Sequence, residues 1–128
     1  MKSEVVETET DRQWLGEDGI LYIECLPSVE YNLATAKCST DTLRQVAGGK
    51  KRPVLIDIRK IKSVSREARE HFTSDYVREI ASAIALLVSS PLSKTIANLV
   101  LALNNPNYPL RAFNSKTEAL EWLQEFIE

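Results

Sequence analysis

Two short stretches of this chain each run from an apolar segment into serines and cations. The first is Val54-Leu55-Ile56-Asp57-Ile58-Arg59-Lys60-Ile61-Lys62-Ser63-Val64-Ser65-Arg66, and the second is Val88-Ser89-Ser90-Pro91-Leu92-Ser93-Lys94. A serine just ahead of a helix can cap it, help its N-terminus hold an anion, or carry a phosphoryl group. Lys60, Lys62, Arg66 and Arg69 stand close enough in sequence to pair with a phosphate on Ser63 or Ser65. Asp57 closes an apolar run. It can face a ligand at the carboxyl end of a parallel strand, or accept N–H groups from the loop that follows. No second carboxylate follows nearby for acid–base or metal chemistry. There is no Gly-rich loop with a Gly-Lys-Ser/Thr triplet, which excludes a P-loop.

The remaining reactive side chains are few. His71 is the single histidine and has no nucleophile close in sequence, so it reads as a surface or half-buried side chain. The two cysteines, Cys25 and Cys38, make neither a disulfide framework nor a structural zinc site, and both read as buried free thiols. Trp122 belongs to an apolar helix stripe. Trp14 ends an edge-type strand, where exposure would mark a binding or dimer surface. Glu7, Glu9 and Asp11 alternate on the other side of that strand, as charges that blunt an exposed edge do.

Composition narrows the class. The 128 residues fit one domain, spanning 1–128, with 44% hydrophobic and 27% charged residues. A net charge of -2 with both signs interspersed gives no footprint for nucleic acid. No stretch reaches the length of a membrane span and the first residues lack a signal-peptide core, so the expected location is cytoplasmic.

The elements that must position these residues follow from periodicity. Residues 4–14 read as a strand with Val6, Thr8, Thr10, Arg12 and Trp14 on one face. Gly16-Glu17-Asp18-Gly19 turns it into a second strand, Ile20–Leu26, as an antiparallel hairpin. Asn32 caps a helix carrying Leu33, Ala36, Leu43, Val46 and Ala47, and Gly48-Gly49 stops it. Val54–Ile58 lacks alternation and reads as a strand covered on both faces. Ser65 caps a helix with Ala68, Phe72, Tyr76 and Ile80 at fours. Ala83–Val88 is a second buried strand. Ser90 and Pro91 open a helix bearing Leu92, Ile96, Leu99, Val100 and Leu103, and Asn104-Asn105-Pro106-Asn107 breaks it. Leu110–Phe113 is a short strand. Ser115 and Glu118 form a capping box for a last helix that carries Trp122. The order β-β-α-β-α-β-α-β-α predicts an α/β fold with a five-stranded mixed sheet and about four helices.

Three segments, VLIDIRKIKSVSREAREHF, AIALLVSSPLSKTIANLVLAL and LRAFNSKTEALEWL, resemble the STAS, or SpoIIAA-like, domains of bacterial anti-anti-sigma factors. The resemblance implies a SpoIIAA-like fold and a non-enzymatic regulatory role through a protein partner, with no cofactor. Members that act as phospho-switches carry Asp-Ser-Ser-Gly at the helix start, where a kinase modifies a serine. A gapless match places Ser65 on the second acidic position, Arg66 on the modified serine and Ala68 on the glycine. A loop shifted by one or two residues would bring in Ser63 or Ser65 instead. The chain is therefore similar to a divergent member without an assigned role.

The expected site is a rim of Asp57, Arg59, Ser63, Ser65, Arg66, Ser89, Ser90, Ser93 and Lys94, gathered where two parallel strands end. It would face a protein partner. The other reading is a small-ligand module, anion or lipid-like. A homodimer through the exposed hairpin edge is a further expectation.

Overall fold

A computed structural model describes residues 4–103 and 108–127. The expected break at Asn104–Asn107 lies outside the described residues. The elements are β1 (Val6–Glu7), β2 (Asp11–Leu15), β3 (Leu21–Cys25), β4 (Glu30–Tyr31), α1 (Leu33–Ala47), β5 (Arg52–Asp57), β6 (Ser63–Val64), α2 (Arg66–Phe72), α3 (Asp75–Arg78), β7 (Ala81–Leu87), α4 (Pro91–Leu103), β8 (Leu110–Phe113) and α5 (Lys116–Gln124). The main sheet has six strands in the order β1-β2-β3-β5-β7-β8, not the expected five, and β4 pairs with β6 in a separate two-stranded ribbon. The sheet is mixed: β1, β2 and β3 are antiparallel, and β3, β5, β7 and β8 run parallel.

The apolar run in β7 lacks alternation because helices cover both of its faces. Ile84 and Leu86 pack with α1, α2 and α4, and Ala83, Ala85 and Leu87 pack with Ala119 and Leu123 of α5. Alanines on both sides of the α5 contact let helix and sheet approach closely. The predicted helix boundaries have visible causes. Asn32 Oδ1 accepts the Thr35 N–H at 2.9 Å while the Thr35 hydroxyl accepts the Asn32 N–H, and Gly48 ends α1 at φ 70°, a conformation that disfavours a side chain. Ser115 supplies one half of its expected box, accepting the Glu118 N–H at 3.3 Å.

Three expectations change. The helix drawn from Ser65 to Ile80 is two helices, α2 and α3. Between them Ser74 takes an extended backbone, and the Thr73 and Ser74 hydroxyls bond to the Arg69, Glu70 and His71 carbonyls, the competition by which hydroxyl side chains interrupt helices. On α4, Leu92 and Leu99 are exposed, and the buried side is Ser93, Ile96, Ala97 and Val100. Leu33 likewise faces outward, and α1 buries Ser39 and Thr40 beside its apolar residues.

The third change concerns the first strand. It is broken at Thr8–Thr10, where the Thr8 hydroxyl accepts the Thr10 and Asp11 N–H groups. The break reverses the expected face, and Asp11 is fully buried instead of blunting an edge. Its Oδ2 accepts the Tyr31 hydroxyl at 2.6 Å and the Ser39 hydroxyl at 2.7 Å. Its Oδ1 accepts Thr8 Oγ1 at 2.9 Å and Gln13 Nε2 at 3.0 Å. Gln13 Nε2 also donates to the Ser39 carbonyl at 2.8 Å, so β2, β4 and α1 meet on one carboxylate. Removing it takes the acceptor from the buried Tyr31 and Ser39 hydroxyls and one of the partners of the Gln13 amide. Asp11→Ala is expected to lower the unfolding free energy by about 3 kcal/mol or more in urea titration. Asp57→Ala, which breaks a partly exposed ion pair and one N–H bond of a surface turn, is expected to cost less, about 1 kcal/mol.

Candidate functional site at the carboxyl edge of the sheet

Parallel pairing brings the strand ends to one edge. Glu24 is in register with Asp57, Asp57 with Leu87, and Leu87 with Phe113. Both serine-bearing junctions therefore leave the sheet on the same side. The β4–β6 ribbon is tied there by Ser28 N–H to the Lys60 carbonyl at 2.8 Å and Lys62 N–H to the Val29 carbonyl at 2.9 Å.

At the first junction, the Asp57 carboxylate accepts the Arg59 backbone N–H at 3.0 Å and is clasped by its guanidinium at 3.0 and 2.8 Å. This is a bidentate pair that fixes the turn. Ser63 lies in β6 and donates to Glu30 Oε1 at 3.2 Å. Ser65 caps α2 by accepting the Ala68 N–H at 3.1 Å. Arg66 points outward and lies 3.7 Å from Glu70.

At the second junction the hydroxyls serve each other. Ser90 Oγ accepts the Ser93 N–H at 3.0 Å, while Ser93 Oγ, fully buried, accepts the Ser89 and Ser90 N–H groups at 3.0 Å each. Three N–H groups at this junction, those of Ser89, Ser90 and Ser93, are thus taken by the chain itself. Among the described residues no hydrogen bond or ion pair joins the Asp57–Arg59, Ser63–Glu30 and Ser90–Ser93 groups to one another. Lys60, Lys62 and Lys94 are exposed and make no ion pair among the described residues.

Behind this edge lies an apolar cavity of about 50 Å³ between the sheet and α2 and α4, lined by Ile56, Leu86, Phe72, Ile96 and Val100, with Cys25 and Tyr31 at its polar end. Burial pushes the Cys25 thiol up to about 12 and also raises Tyr31, with the neighbouring Cys25 and Asp11 adding to the effect. Cys25 is the buried thiol expected; Cys38 is exposed, because it follows the buried Ala36 on the outward turn of α1.

His71 is half-buried, and its Nε2 lies 2.7 Å from the Thr40 hydroxyl on α1. Burial, then the Lys37 charge, lowers its pKa, and Asp41 opposes them. Trp14 is half-buried and stacks on Tyr22 with centroids 5.3 Å apart; β2 is flanked by β1, so Trp14 is not on an edge strand. Sequence reading missed the Asp11 cluster. The signal available was a run of three polar residues, Asp11-Arg12-Gln13, at the head of a strand.

Among the described residues no helix is long and apolar enough to cross a membrane, and no group of three or more His, Cys, Asp and Glu is placed to hold a metal ion. A family model described as a domain of unknown function, DUF7793, matches residues 13–127. Among solved structures the chain is similar to an uncharacterized protein of the DUF3478 family with a SpoIIAA-like fold from Shewanella loihica PV-4, at 16% identity and TM-score 0.55, over 96% of this chain and 95% of that one. It is also similar to a protein of unknown function from Arthrobacter sp. FB24, at 31% identity and TM-score 0.36, over 92% and 95%. No curated protein matches. The first of these structures gives this chain its fold: α/β and SpoIIAA-like, with a mixed sheet.

Two outcomes test this geometry. In native protein a thiol reagent is expected to label Cys38 and spare Cys25, with both reacting after unfolding, as read by mass spectrometry. Because folding lowers the His71 pKa below 6.5, the neutral ring is favoured in the fold. That contribution is present above the ordinary histidine value and is lost as pH falls through the lowered one. Urea unfolding is expected to show a larger acid loss between about pH 7.5 and pH 5.5 for wild type than for His71→Gln, which keeps a partner for Thr40.

Proposed function

We propose, for a chain that belongs to the DUF7793 family, a non-enzymatic regulatory module that binds an acidic surface of a protein partner through the carboxyl edge of its sheet. The observation that carries this reading is the contrast at that edge. Ser65, Ser90 and Ser93 are committed to helix caps and Asp57 to Arg59, while Lys60, Lys62 and Lys94 stand exposed with no ion pair among the described residues. A surface of this kind offers charge, not a nucleophile. Ser63 is a rim hydroxyl open to modification, since its bond to Glu30 caps no helix, and it lies next to Lys62 in sequence. A phosphate there would meet the Glu30 carboxylate and the Lys60 and Lys62 ammonium groups, opening the ribbon and neutralising the rim together. The SpoIIAA-like fold supports the reading by analogy alone.

A second reading, a small-ligand module, rests on the apolar cavity. At about 50 Å³ it is smaller than the roughly 150 Å³ site that admits benzene, so a lipid-like ligand enters only if α2 and α4 part.

Low-salt affinity capture followed by titration of the captured protein separates these readings. The triple variant Lys60→Glu, Lys62→Glu, Lys94→Glu is expected to weaken binding about tenfold or more, with Ser63→Asp acting in the same direction and Ser65→Asp less so. Binding that is indifferent to these changes and to salt removes the rim. A reproducible small-molecule adduct in native mass spectrometry would favour the cavity instead.

A further inference from the structure

The far end of the sheet carries a second surface. Strand β8 is terminal. The Pro109 and Phe113 carbonyls accept the Ile84 and Val88 N–H groups of the β7 side at 2.9 and 2.8 Å. Each residue of a strand turns its N–H and C=O to the same side and its neighbours turn theirs to the other. Leu110 and Ala112 therefore direct their backbone groups away from β7, to the open side.

Above this edge runs a groove of about 610 Å³ between β8 and α5. Its floor is Phe113 against Trp122, with ring centroids 5.5 Å apart, and the Arg111 guanidinium lies 5.0 Å over Phe113. Its helix wall holds Glu118, Glu121 and Glu125. All three, and Arg111, are exposed, and none makes an ion pair among the described residues.

The charge layout selects the occupant. A basic peptide would meet Arg111 and Lys94, and an acidic one would meet three glutamates. A second copy related by a twofold axis presents the opposite sign at both walls, which is the self-complementarity an isologous interface requires. We infer that the chain forms a twofold dimer in which β8 pairs antiparallel with the partner subunit's β8 about Ala112, carrying Arg111 of each subunit to the α5 glutamates of the other. Ala112 faces the partner subunit's Ala112, and Leu110 faces the partner subunit's Asn114. In this register Arg111 lies beside the partner subunit's Phe113, within reach of its acidic wall. The two sheets become one, and no open edge remains at that end.

Sedimentation velocity of the full chain from about 1 to about 200 µM reads the outcome. The expected result is a dimer whose dissociation constant rises about tenfold or more in Ala112→Pro, which removes an N–H no internal bond uses, and in Arg111→Glu. Adding Glu118→Arg and Glu121→Arg to Arg111→Glu restores it. Should Ala112→Pro fail to fold, by circular dichroism, the charge swap stands alone. Slowed hydrogen exchange at the Leu110 and Ala112 amides in the dimer supports the pairing. A chain that stays monomeric throughout, or a dimer indifferent to both Arg111→Glu and its swap, overturns it. Lys94 of the carboxyl edge also lines this groove, and all of these variants keep it, along with Lys60 and Lys62, so a lost dimer and a lost partner contact are read separately.

Discussion

A fully buried carboxylate has to be surrounded by donors, and in this protein the donors come from separate parts of the chain. Asp11 opens β2, Tyr31 belongs to β4 and Ser39 to α1, and all three meet within hydrogen-bond distance. Tyr31 then reaches the apolar interior through Cys25, 3.3 Å away, and packs edge-on to Phe72 with ring centroids 5.6 Å apart. The position of the β4–β6 ribbon, and with it the loop that carries Lys60, Lys62 and Ser63, follows from where Tyr31 is held. A polar requirement at one end of the sheet thus orders a surface several residues away in every direction.

The carboxyl edge shows the same economy with hydroxyls. A helix that begins where a strand ends has orphan N–H groups to satisfy. At α4 two serines satisfy two of them, at Ser90 and Ser93, and the Ser89 N–H just before the helix. At α2 one serine does so. This leaves the edge with the chemistry of its side-chain charges: Lys60 and Lys62 on a loop tied to the ribbon, and Lys94 on the first turn of α4.

The sequence made some of this legible and concealed the rest for definite reasons. The apolar run around Ala83–Val88 announces a strand buried on both sides, and Leu110–Phe113 reads as the short strand that the structure has as β8. Asn32, Gly48, Ser65 and Ser90 declare their caps by type and position. Asp11 was unreadable by alternation, because a turn at Thr8–Thr10 resets the phase and a charged residue at a strand head is usually solvated. Ser39 and Thr40 hid on α1 for a related reason: an apolar stripe counts hydrocarbon and passes over buried hydroxyls that have partners elsewhere in the fold. The interruption at Thr73-Ser74 could not outweigh a four-residue repeat that continues across it to Tyr76 and Ile80. For the rim, residue positions were readable from sequence. Which hydroxyls were already engaged depended on distances between segments.

The apolar cavity between the sheet and α2 and α4 has a consequence under compression. Empty volume enclosed by Ile56, Leu86, Ile96 and Val100 is eliminated when the chain unfolds, so the unfolded state is the smaller one and hydrostatic pressure favours it. Side chains bordering a void have no neighbours on one side and forfeit dispersion energy there. Tyr31 and Ser39 of the Asp11 cluster border the same space, so compression would bear on the hydrogen-bonded cluster as well as on the layer of α2 and α4.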